Sequence, residues 1–91
     1  MLNLKSKIMV NEHISSATVD SEIVMLDMER GSYFALNAVG TYIFELLKEN
    51  TTIEEICAAV VRTFDVEVER CEKELFDFLG KLHAENIVTI I

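Results

Sequence analysis

Hydrophobic and polar positions change their period once along this chain, near residue 37. Before it, the pattern is that of strands. Leu4, Ile8 and Val10 share one parity, a weak alternation. Ile23-Val24-Met25-Leu26 is a short apolar run, followed by the polar stretch 27–32 and a second run, Tyr33-Phe34-Ala35-Leu36. Two such runs around a segment carrying Gly predict a β-hairpin, with Gly31 supplying the positive φ of the turn. Tyr33 and Ala35 then face one way, Phe34 and Leu36 the other. After residue 37 the period is helical. Asn37 is a good N-cap, Val39, Ile43, Leu46 and Leu47 make one stripe, and Lys48-Glu49-Asn50 closes the helix. Thr52 with Glu55 is a capping box opening a second helix, whose stripe is Ile53, Ile56, Cys57, Val60, Val61 and Phe64. Asp65 or Glu67 starts a third, with Val68, Cys71, Leu75, Phe78, Leu79 and Leu82 on one face. Residues 87–91 (Ile-Val-Thr-Ile-Ile) form a β-branched tail, a strand or a packed end.

This order predicts an α+β fold, winged helix-turn-helix-like, with N-terminal antiparallel β-strands followed by three helices. The 91 residues suit a single domain, 1–91, which buries about two-thirds of its unfolded surface and leaves little room for a deep cofactor crevice. A 51% hydrophobic share with 26% charged residues is that of a folded chain. Eight Lys and Arg against sixteen Asp and Glu give a net charge of −8, which argues against neutralising phosphates or coating an anionic membrane. Two cysteines cannot build a disulfide framework, the first residues lack the apolar core of a signal peptide, and no apolar run approaches the roughly 18 residues of a membrane span. A cytoplasmic protein is expected.

Candidate chemistry narrows the reading by failing to appear. Cys57 and Cys71 are fourteen residues apart on apolar stripes, and His13 and His83 stand alone, so no metal site or cofactor is expected. A Cys71–His83 pair lacks any recognisable nucleophile turn or oxyanion hole, so the chain is read as a non-enzyme. Residues 65–91 carry seven carboxylates against three cations, a net −4, so the third helix would repel DNA. An edge remains. Ser32-Tyr33-Phe34-Ala35-Leu36 has no charge and no proline, the residues that usually guard an exposed strand. Beside it, the third helix offers Leu75, Phe76 and Leu79 as the floor of a groove, Phe76 being apolar off the main stripe. Glu72 is the candidate acidic contact, and Gly80 leaves room for a close approach. A core role for Phe76 stays open, as does a winged-helix transcriptional or protein–protein module.

Residues 23–37 (Ile-Val-Met-Leu-Asp-Met-Glu-Arg-Gly-Ser-Tyr-Phe-Ala-Leu-Asn) resemble the hairpin signature of the PqqD family: an apolar pair, Asp, a turn with Gly, an aromatic pair, then Leu-Asn. Gly40, the run Ile43-Phe44-Glu45-Leu46-Leu47, the start Thr52-Ile53-Glu54-Glu55-Ile56, and Glu74-Leu75 with Phe78-Leu79 and Leu82 continue the resemblance to about Val88. Asn86 stands where the family often has Gly, and Glu74 where Asp is common. The hairpin looks more like stand-alone members from lasso-peptide clusters than like the pyrroloquinoline quinone protein. The resemblance implies a recognition element, monomeric when free, for ribosomally made and post-translationally modified peptides. Such a domain takes the precursor's leader peptide as an extra strand beside residues 32–36, over the third helix. It presents the leader to a leader peptidase or another modifying enzyme of the pathway. The acidic helix suggests leaders with basic residues near it.

Overall fold

The computed structural model describes residues 2–49 and 51–91. Met1, and the Asn50 expected to close the first helix, lie outside them. The described elements run β1 (Ile8–Val10), β2 (Ile14–Val19), β3 (Glu22–Asp27), β4 (Ser32–Ala35), α1 (Ala38–Leu47), α2 (Ile53–Phe64), α3 (Val68–Ala84) and β5 (Val88–Ile90). The α+β class and the order of strands before helices are as expected. The strands form two sheets: β2-β3-β4, antiparallel throughout, and the pair β1-β5, which joins the start of the chain to the tail.

β2 has no counterpart in the hydrophobic pattern. Its residues Ser15 to Val19 are all exposed, so it is held by its ladder with β3 and shows no alternation. Asp20 and Ser21 turn the chain between them with φ of 51° and 69°, the left-handed pair of a two-residue hairpin. The β3–β4 turn is organised differently. The buried Asp27 carboxylate accepts the N–H groups of Glu29 and Arg30 at 3.0 and 3.1 Å, and Gly31 takes φ 71°.

The helices begin as their caps dictate. Asn37 Oδ1 accepts the Gly40 N–H at 2.8 Å, and Thr52 and Glu55 close a reciprocal capping box. The Thr52 backbone N–H, first, and its hydroxyl hold the Glu55 carboxyl below its usual range. Asp65 does not start α3. It sits in the left-handed region at φ 53°, where its N–H bonds the Val61 carbonyl and ends α2; Glu67 is the residue before α3. Asn86 also adopts a positive φ, 60°, at the far end of α3. That geometry explains why Gly suits the position in the resembling family.

The core gathers between β3, β4 and the helices. Met25, Phe44, Ile53, Ile56, Leu75 and Leu79 are each at most 2% exposed. Val39 and Val68, placed on helix stripes by periodicity, are instead 38% and 53% exposed. Each lies in the first turn of its helix, where it borders a surface hollow instead of packing into the core.

Candidate functional site

β4 is an edge of its sheet, with β3 on one side and no strand on the other. The phase of its ladder decides what that edge displays. Leu36 donates its N–H to the Ile23 carbonyl at 2.9 Å, and Phe34 and Ser32 stand opposite Met25 and Asp27. In an antiparallel pair, alternate residues turn both backbone groups to the partner. Leu36, Phe34 and Ser32 are therefore bonded inward, whereas Tyr33 and Ala35 aim N–H and C=O outward. Their side chains are exposed too, Tyr33 at 73%.

The strand stops after Ala35 because α1 intervenes. The buried Thr41 hydroxyl accepts the Ile23 N–H at 2.9 Å and donates to the Leu36 carbonyl at 3.5 Å. These are the two groups that would otherwise make the second hydrogen bond of the Ile23–Leu36 pair. Thr41 thus turns the chain into α1 and sets β4 against the helical layer.

Two connected hollows run beside this edge. The first, about 380 Å³, lies between the end of β4, α1, α2 and α3, with Ala35, Val39, Gly40, Ile43, Leu75 and Phe78 among its walls. The second, also about 380 Å³, lies between β3, β4 and the C-terminal half of α3, walled by Met25, Phe34, Phe78, Lys81, Leu82 and Ile87 among others. Ala35, Leu36 and Phe78 border both, so the two form one groove along β4. Burial, then the adjacent Cys57 thiol, then Glu74 and Glu72 push the Cys71 thiol at the groove wall up to about 12. Among the described residues, no cluster of three or more His, Cys, Asp or Glu gathers that could hold a metal ion, and no helix is long and apolar enough to cross a membrane.

The residues expected at the site divide. Ser32, Tyr33, Phe34 and Ala35 form β4, and Leu36 follows it, buried, in the groove wall. Leu75 reaches the groove although 2% exposed. Leu79 is wholly buried and is core. Glu72 and Phe76 stand elsewhere. At 3.6 residues per turn they lie about 120° and 160° around α3 from Phe78. Glu72 instead walls a separate hollow with Leu4, Glu54, Cys57, Ala58, Val61 and Val68. Phe78, assigned from periodicity to the core stripe, is the aromatic that borders the groove. Gly80 faces open space, with nothing within 4 Å of where a Cβ would stand, so it serves no close contact.

The acidic surface is displaced in the same way. Of the seven carboxylates in residues 65–91, Glu74 and Glu85 line the groove, and both are paired: Glu74 with Arg70 and Glu85 with Arg30, each at 3.0 Å.

An unpaired strand beside an apolar groove is the arrangement that peptide recognition by strand addition uses. The sequence profile of the family described as coenzyme PQQ synthesis protein D (PqqD) matches residues 22–88, and the chain belongs to that family. No curated protein matches it. Among solved structures it is similar to TbiB1 in complex with the TbiA(beta) leader peptide. The identity is 35%, the TM-score 0.84, and the match covers 88% of this chain and 93% of the other. It is also similar to lasso peptide synthetase B1 complexed with the leader peptide, at 20% identity and TM-score 0.84, over 91% and 98% of the two chains. At that lower identity the second match speaks for the fold.

Proposed function

We propose that this protein binds the leader segment of a ribosomally synthesised precursor peptide as a fourth strand on β4, over the groove against α3. It then delivers the peptide to a separate maturation enzyme, a leader peptidase or cyclase of the same cytoplasmic pathway, and is itself monomeric and non-catalytic. The observation that carries this reading is the outward pair of backbone groups at Tyr33 and Ala35 directly beside an apolar groove. The similarity at 35% identity to a protein solved with its leader peptide supports it. The lasso class of pathway is favoured on the same ground.

Energetics explain why edge and groove go together. Ordering about five peptide residues costs roughly 5–10 kcal/mol of backbone entropy. The four hydrogen bonds that Tyr33 and Ala35 can make give about 4 kcal/mol net. Backbone pairing alone therefore loses. Two or three apolar side chains buried in the groove at about 1.5–3 kcal/mol each close the gap, so side-chain fit selects the peptide.

Hydrogen exchange tests the placement. A synthetic leader peptide from the precursor gene of the same pathway should slow exchange at the Tyr33 and Ala35 amides, which are open in the free protein. Tight binding with those amides unprotected would refute strand addition at β4.

A further inference from the structure

The groove is apolar along most of its length, and its charged walls are unequal. Glu74 is neutralised by Arg70 and Glu85 by Arg30. Lys81, on the wall of the hollow beside Phe34, Phe78 and Leu82, has no carboxylate within 4.0 Å among the described residues. In a chain of net charge −8, the one unpaired charge lining the groove among the described residues is thus a cation. Glu74 and Lys81 are seven residues apart on the same side of α3, about 10.5 Å along its axis. An extended peptide spans that distance in about three residues.

From this juxtaposition, and resting on the leader-binding reading above, we infer that Lys81 reads a carboxylate on the bound peptide. The leader carries Asp or Glu at the position that passes Lys81, two to four residues from the one that passes Glu74. The apolar side chains fill the hollows and set affinity. The carboxylate sets register and direction, because reversing the strand, or sliding it by two residues, carries the acid away from Lys81 and leaves the cation unpaired under the peptide. This inverts the expectation from net charge, which favoured basic leaders. The bulk of the acid on α3 lies off the groove, and the unpaired charge at the groove among the described residues is of the opposite sign.

The test is a selection from a displayed library of random dodecapeptides against three proteins: wild type, Lys81→Glu and Ala35→Pro. Lys81 is exposed, in the last turn of α3, so the variant keeps its core. Wild type should select an alternating apolar consensus with Asp or Glu at one fixed position. Lys81→Glu should keep the apolar consensus and replace that acid by Lys or Arg. Synthetic peptides with and without the acid should differ about three- to tenfold in affinity for wild type and by less than twofold for Lys81→Gln. The same residue selected at every position by wild type and Lys81→Glu would overturn the inference while leaving strand addition intact. A consensus that survives in Ala35→Pro, or no consensus in wild type, would overturn the strand-addition reading and this inference with it.

Discussion

The β4 edge can be tested with one proline, and the ladder phase says where it must go. Ala35 points its N–H away from β3, so Ala35→Pro removes a donor that the free protein does not use. Edge strands tolerate proline at such outward positions. The cost to stability should be about 1 kcal/mol, from fitting the ring's fixed φ, or a few degrees in Tm. The cost to binding is larger. The peptide loses a hydrogen bond, one of its carbonyls is left without a partner, and the ring stands where the incoming backbone would lie, about 4.8 Å from β4. Together these amount to roughly 2–4 kcal/mol, about 30- to 1,000-fold in Kd. Phe34→Pro is the opposing control. The Phe34 N–H faces Met25 and its ring packs against the core, so this variant should lose the fold itself. Fluorescence anisotropy with a labelled leader peptide, beside circular-dichroism melts, reads both quantities. Ala35→Pro with wild-type secondary structure and an affinity within twofold of wild type would refute strand addition at β4.

Phe78→Ala should weaken leader binding tenfold or more, whereas Phe76→Ala, about 160° around the helix, should leave affinity within twofold; calorimetric titration of both decides it. Gly80→Ala meets open space inside α3 and should raise stability by about 0.5–1 kcal/mol with no change in leader affinity, read by urea denaturation and the same titration. Thr41→Val keeps the shape but strands the Ile23 N–H, at a cost of about 1–3 kcal/mol in the same denaturation series. The Cys71 thiol, pushed up to about 12, is almost wholly protonated at pH 8; in a Cys57→Ala background, which removes the neighbouring thiol's share of that push and leaves burial and the nearby acids, its reaction with a disulfide reagent should still be slower than for an ordinary thiol and should accelerate on unfolding.

What the sequence made legible follows from where each signal is written. α2 could be read almost to the residue, because Thr52 and Glu55 declare its start and its stripe faces a single core. The β3–β4 hairpin was equally plain, since Ile23, Met25, Phe34 and Leu36 alternate against a buried face. β2 was invisible because neither of its faces is buried; a strand held by backbone pairing alone leaves no trace in side-chain hydrophobicity. The groove was half legible. Its edge came from the uncharged run 32–36. Of its expected floor, Leu75 lines it while Phe76 and Leu79 do not, because the pattern of α3 shows which arc is apolar, but not which rim of that arc meets the sheet. Of Phe76 and Phe78, two residues apart and both packed against the core, it is Phe78 that borders the groove.

The position of the net charge follows the same logic and bears on how such a protein selects. At physiological salt an exposed charge is screened within about 8 Å, less than the width of a helix with its side chains. Glu69, about 180° around α3 from Phe78, therefore acts weakly on a peptide bound beside β4. The walls of the groove act directly, and there Glu74 is paired with Arg70 and Glu85 with Arg30, which also lies 4.0 Å from Asp27, while Lys81 has no carboxylate within 4.0 Å among the described residues. Net charge governs what the whole molecule attracts from a distance. In the proposed binding mode the few groups lining the groove govern which strand stays, and the unpaired one among the described residues is a cation. Selection in that proposed mode rests on Phe34, Phe78, Lys81 and the outward backbone of Tyr33 and Ala35, all presented by one short edge strand and one rim of one helix.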